Sequence, residues 1–91
     1  MSNKIKLLKA RTELADKKLT VAELLKDQRK LEREYFKTRS TDEKTYKLEQ
    51  LISINERIVE AKRTVIVKYK ELVQLETQIN GKATTRLNKI N

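Results

Sequence analysis

The sequence predicts an all-α protein: an antiparallel helical hairpin or coiled coil, with or without an additional N-terminal helix. Three observations lead there. The 91 residues include no proline and one glycine, Gly81, so nothing in the first eighty positions interrupts a helix. Apolar residues recur every seven positions in both halves of the chain. Charged residues (38%) and apolar residues (37%) are nearly balanced, and aromatics are 4%. That balance is too polar for a thick globular core but suits a narrow apolar seam between helices.

The first stretch, residues 3–18, reads as helix. Thr20-Val21-Ala22-Glu23 then has the form of a capping box, with Leu19 and Leu24 spaced as a hydrophobic staple, so a new helix over 20–38 is one reading. The other is a single helix. Leu7, Leu14, Val21, Gln28 and Tyr35 keep a seven-residue spacing, as do Ala10, Lys17, Leu24 and Leu31, and both lines run straight past Thr20. The sequence is compatible with both.

A tight connection is expected near 39–41. Ser40-Thr41-Asp42-Glu43 forms a second capping box, with acids in the first turn where the helix dipole favours them. The long helix over 42–80 carries the cleaner pattern. Leu51, Ile58, Val65, Leu72 and Ile79 recur every seven residues, and Ile52, Val59, Ile66 and Val73 sit beside them. Ile54, Ala61 and Leu75 widen the stripe. The local β-branched run Thr64-Val65-Ile66-Val67 leans toward strand, but the sustained period outweighs it. So broad a face suits more than one neighbouring helix, and the five-residue line from Leu51 to Ile79 is the expected interaction seam for a partner. Gly81 after Asn80 is the natural left-handed stop. Residues 1–80 are thus one helical domain and 81–91 a basic tail.

Composition also excludes chemistry. There is no cysteine and no histidine, which removes a disulfide framework, a thiolate nucleophile, and the commonest general base and metal ligand. No Gly-rich phosphate loop, metal-ligand cluster or nucleophile–base pair occurs. The spacing of Arg57 and Lys68 is similar to that on the long helix of all-helical chorismate mutases, but the further polar residues such a site takes from another helix are missing. The expectation is a protein that is not an enzyme and needs no cofactor or metal. The N-terminal residues lack the apolar run of a signal peptide, and no stretch approaches membrane-spanning length, so a cytoplasmic location away from membranes is expected.

Charge points to a partner. The net charge is +9, and it is unevenly placed. Residues 1–39 hold twelve Lys/Arg against six Asp/Glu, residues 40–80 seven against seven, and residues 81–91 three against none. On a helix at about 100° per residue, Lys26, Arg29, Lys30, Arg33 and Lys37 fall within an arc of about 100° that contains no acid. Arg39 extends it at the turn. Val21, Leu24, Gln28, Leu31 and Tyr35 lie on the opposite side. The stripe is about 16 Å long, enough to meet several phosphates of one backbone. Lysines and arginines on a helix also serve simply as a solvated face, with Glu23, Asp27 and Glu34 as ordinary intrahelical partners. The charge asymmetry between the two arms favours an anionic partner: nucleic acid, RNA ahead of DNA, or an acidic protein surface. Phe36 and Tyr46 near the tip form a small contact patch or cover the turn, and Tyr35 and Tyr69 are read as seam residues. A chain this short gains stability by self-association or from a docked partner, so a homo-oligomer or a component of a larger assembly is expected, and the alternative function is a coiled-coil interaction module, a self-assembling adaptor or an inhibitor that docks on a protein.

Leu19-Thr20-Val21-Ala22-Glu23-Leu24, followed by Leu31, Glu34, Phe36 and Arg39, resembles the first helix of the bacterial large-subunit ribosomal protein twenty-nine family. Leu51, Ile54, Ile58 and Ala61 match the apolar positions of its second helix if the connection is slightly shorter here. The resemblance covers about residues 19–64. It implies a basic two-helix hairpin bound to ribosomal RNA near the polypeptide exit. That family's second helix is strongly basic, whereas Asn55-Glu56-Arg57-Ile58-Val59-Glu60 carries two acids, so only the first arm's basic residues are carried over.

Overall fold

The computed structural model describes residues 2–79, and every one of them except Ser2 and residues 38–40 is helical. Helix α1 spans Asn3–Lys37 and helix α2 spans Thr41–Ile79. They run antiparallel and pack along their lengths, as an all-α hairpin.

Each boundary has a local cause. Ser2 is extended (φ −65°, ψ 134°), and its Oγ accepts from the Lys4 N–H at 3.2 Å, so this serine caps α1. The sequence reading did not single it out. At the other end Thr38 is extended again (φ −77°, ψ 132°). Its N–H donates to the carbonyls of Glu34 (3.0 Å) and Tyr35 (3.3 Å), and its hydroxyl donates to Glu34 at 2.7 Å. One threonine thus satisfies carbonyls that the helix end would leave open. No described residue has a positive φ, so the three-residue turn needs no glycine. In α2 the Ser40 carbonyl accepts from Lys44 N–H at 2.9 Å, and Asp42 and Glu43 occupy the first turn. The Gly81 stop and the basic tail lie outside the described residues.

The two readings of the first arm resolve to one: α1 is continuous, and the break at Thr20 does not occur. Thr20 sits inside the helix with its hydroxyl donating to the Asp16 carbonyl at 3.2 Å, and Leu19 is 56% exposed rather than stapled to Leu24. Magnitudes explain this. An N-cap is worth about 1 kcal/mol. Breaking the helix would disrupt a seam in which Leu14 and Leu24, one on each side of Thr20, are both buried, each worth about 1.5–3 kcal/mol. Thr20→Ala therefore leaves stability within about 0.5 kcal/mol of the parent in thermal melts, since alanine has the better helix propensity. A loss near that of a missing cap, about 1 kcal/mol or more, would contradict a continuous α1.

Burial follows a strict heptad. On α1 the less exposed positions advance from Leu7 to Thr38 in alternating steps of three and four, through Leu14, Val21, Leu24, Gln28, Leu31 and Tyr35. On α2 the same alternation runs from Lys44 to Ile79, with Leu51, Ile54, Ile58 and Leu72 buried. Leu24, Ile54 and Ile58 form the centre of the core, flanked by Leu25, Leu31 and Ala61. Polar links fix the antiparallel register. Gln28 donates to the side chain of Asn55, Lys47 reaches Glu34 at 3.0 Å, Lys68 reaches Glu13 at 3.6 Å, and Arg11 reaches Glu76 at 3.9 Å. These links are partly exposed and screened by solvent, so they choose alignment more than they supply stability.

The expected interaction seam requires a correction. Leu51, Ile58 and Leu72 are buried and Val65 and Ile79 half-buried on the line that faces α1, so the hairpin itself consumes this seam. A three-four seam on α1 needs a matching one opposite, and these residues supply it. The surplus apolar face is the neighbouring line. Tyr69, read as a seam residue, is also out on that face at 55% exposure.

Candidate nucleic-acid interface

Because one side of α1 is drawn into the seam, the opposite side must face outward. Lys26, Arg29, Lys30, Arg33 and Lys37 all lie there and are exposed, and Arg39 continues the ridge into the turn. Among the described residues none of the six takes part in an ion pair; the pairs that do form involve Arg11, Lys47, Arg63 and Lys68. All six predicted cations are therefore brought to one surface.

One acid flanking the ridge, Glu34, is engaged by the other arm. Glu34 takes a hydrogen bond from Lys47 across the hairpin, and this bond and the charge of Lys47 hold its carboxyl below the usual glutamate range. Partial desolvation opposes that shift, and Lys30 and Arg33 assist it more weakly. The ridge cations thus feel a carboxylate already neutralised from the other arm. Since the folded pKa is depressed, this contribution to stability is present at neutral pH and lost as pH falls through the folded value. The difference in melting temperature between the parent and Glu34→Gln is accordingly present at pH 7 and shrinks as the pH is taken into the acid range. A difference that persisted unchanged into acid would show that the ion pair contributes nothing.

At the tip, Tyr35 is half-buried, with its ring edge-on to Phe36 (centroids 5.3 Å, 74°) and Lys44 Nζ over it at 5.3 Å. Phe36 is 78% exposed and Tyr46 59%. Phe36 therefore adds an apolar surface beside the basic ridge rather than covering the turn.

Lys68 is held by Glu71 at 3.4 Å and by Glu13, and these carboxylates, Glu71 first, raise its pKa. Arg57 is exposed elsewhere on α2. No group of acids able to hold a metal ion occurs among the described residues, and no described helix is long and apolar enough to cross a membrane.

The fold and its charged surface define a class: a basic, antiparallel two-helix hairpin. No family model, no curated protein and no solved structure matches the chain.

Proposed function

We propose that this chain is a non-enzymatic helical hairpin that binds nucleic acid through the outer face of α1, with structured RNA as its preferred ligand. The observation that carries the reading is the ridge: six exposed cations, from Lys26 to Arg39, free of ion pairs among the described residues. At 1.5 Å per residue the helical part is about 16 Å long, the axial span of about five phosphates on one strand. Such contacts position a backbone without reading its sequence.

The exposed Phe36 favours RNA over duplex DNA. RNA is recognised chiefly at loops and bulges, where an unstacked base is available to an aromatic ring. The ribosomal-protein resemblance supports the same direction and suggests a ribosome-like particle as the setting. An acidic protein surface is the competing ligand for the same ridge.

Fluorescence anisotropy with a labelled RNA stem-loop, a DNA duplex of equal length and polyglutamate separates these ligands. The proposal expects the stem-loop to bind most tightly at low salt, the duplex more weakly and polyglutamate weakest. Absence of nucleic-acid binding at low salt overturns it, as does polyglutamate binding as tightly as RNA.

A further inference from the structure

Helix α2 carries a second seam that the hairpin leaves open. Starting at Leu48, alternating steps of four and three pass through Ile52, Val59, Ile66, Tyr69 and Val73, with Asn55 and Lys62 as the polar steps. The six apolar members are each 46–55% exposed. The opposite flank of α2, through Gln50, Arg57, Thr64 and Glu71, is polar, so the apolar line belongs to one side of the hairpin only. On that same side α1 offers the small exposed residues Ala15 and Ala22, which leave room for an approaching helix. A helix with two offset heptad seams is built for two neighbours.

The charges beside this seam say which neighbour. Along its outer flank stand Glu49 and Glu56, then Arg63 and Lys70, all exposed. We infer that the second seam binds the same seam of a second copy of this chain, with the two α2 helices antiparallel about a two-fold axis near residue 60. That pairing sets Ile52 against Tyr69 and Leu48 against Val73 of the other copy. It also sets Glu49 across from Lys70 and Glu56 across from Arg63, and symmetry repeats every contact. A parallel pairing would place acid on acid and base on base. It would also bring both basic tips together, whereas the antiparallel dimer holds the two ridges at opposite ends. Lys62 lies next to the axis and limits the affinity, as a lysine in an apolar seam does.

Sedimentation equilibrium of the nuclease-treated full chain tests this without any ligand. The parent is expected to form a reversible dimer. Ile66→Asp raises its dissociation constant about a hundredfold or more, and Lys62→Leu lowers it about tenfold, with helicity retained in both. Glu56→Arg weakens the dimer, and Glu56→Arg combined with Arg63→Glu restores it, which only the antiparallel arrangement predicts. The ridge variant Lys30→Glu/Arg33→Glu/Lys37→Glu, which spares the side of α1 that carries Ala15 and Ala22, dimerises as the parent does, so loss of nucleic-acid binding and loss of pairing are separable. A chain that stays monomeric overturns the inference. So does a dimer indifferent to Ile66→Asp, or a charge swap that fails to restore pairing.

Discussion

Replacing Arg29, Lys30 and Arg33 together with glutamate is expected to abolish nucleic-acid binding while the hairpin stays folded. Each reversal changes the charge by two, so the net charge falls from +9 to +3, and the middle of the ridge becomes acidic. Six phosphate contacts would give a slope of log K against log salt of about −4 for single strands and about −5 for duplex. Losing three contacts halves that slope, and the new carboxylates repel the backbone that the remaining cations attract. Affinity then falls by about a thousandfold or more at low salt, beyond the range of ordinary non-specific binding. The fold tolerates the change because all three side chains are exposed and glutamate has nearly the helix propensity of arginine and lysine. New like-charge neighbours on the helix cost about 0.2–0.5 kcal/mol each. Titrations of one RNA stem-loop at several salt concentrations, with circular dichroism on the same samples, check both halves. Binding that survives the reversal with its salt slope intact would show that the ridge is only a solvated face.

Ile58→Ala is expected to be the most damaging small substitution in the hairpin. Ile58 is 5% exposed and packs with Leu24 and Ile54 at the centre of the core. Removing its outer carbons forfeits their burial and leaves a cavity that two straight helices close only in part, at about 2–5 kcal/mol. Alanine's higher helix propensity returns about 0.4 kcal/mol. A small domain holds about 5–15 kcal/mol in total, so the loss consumes a large share of it. At about 4–8 °C per kcal/mol for a domain of this size, the melting temperature falls by roughly 10–30 °C. Phe36→Ala, at a far more exposed site, is the control and shifts stability by less than about 0.5 kcal/mol. Equal effects from the two changes would contradict the seam described above.

Much of the fold and of the ridge is legible in the sequence. The seven-residue lines through Leu14 and Leu24 and through Leu51 and Ile58 predict the two arms, and Ser40-Thr41-Asp42-Glu43 marks the start of the second. The ridge was legible too: once Val21, Leu24, Gln28, Leu31 and Tyr35 are assigned inward, helical geometry leaves Lys26, Arg29, Lys30, Arg33 and Lys37 no other side. Less legible were features that depend on competition between nearly equal local signals. The Thr20 box looks as sound on paper as the one at Ser40. It loses because burial on both of its sides outweighs one capping bond.

By itself, then, the sequence determined that the chain is helical, that it doubles back near residue 40, and that the cations of its first arm form a single line. Only the tertiary structure decided which of two equally periodic apolar lines on α2 faces α1. The line from Leu51 to Ile79 and the line from Leu48 to Val73 share one period, and periodicity cannot rank them. The choice falls to the packing partner. Residues of α1 that sit opposite the Leu51–Ile79 line and its neighbours, such as Leu24 against Ile54 and Ile58 and Glu34 with Lys47, leave the apolar members of the other line open to solvent.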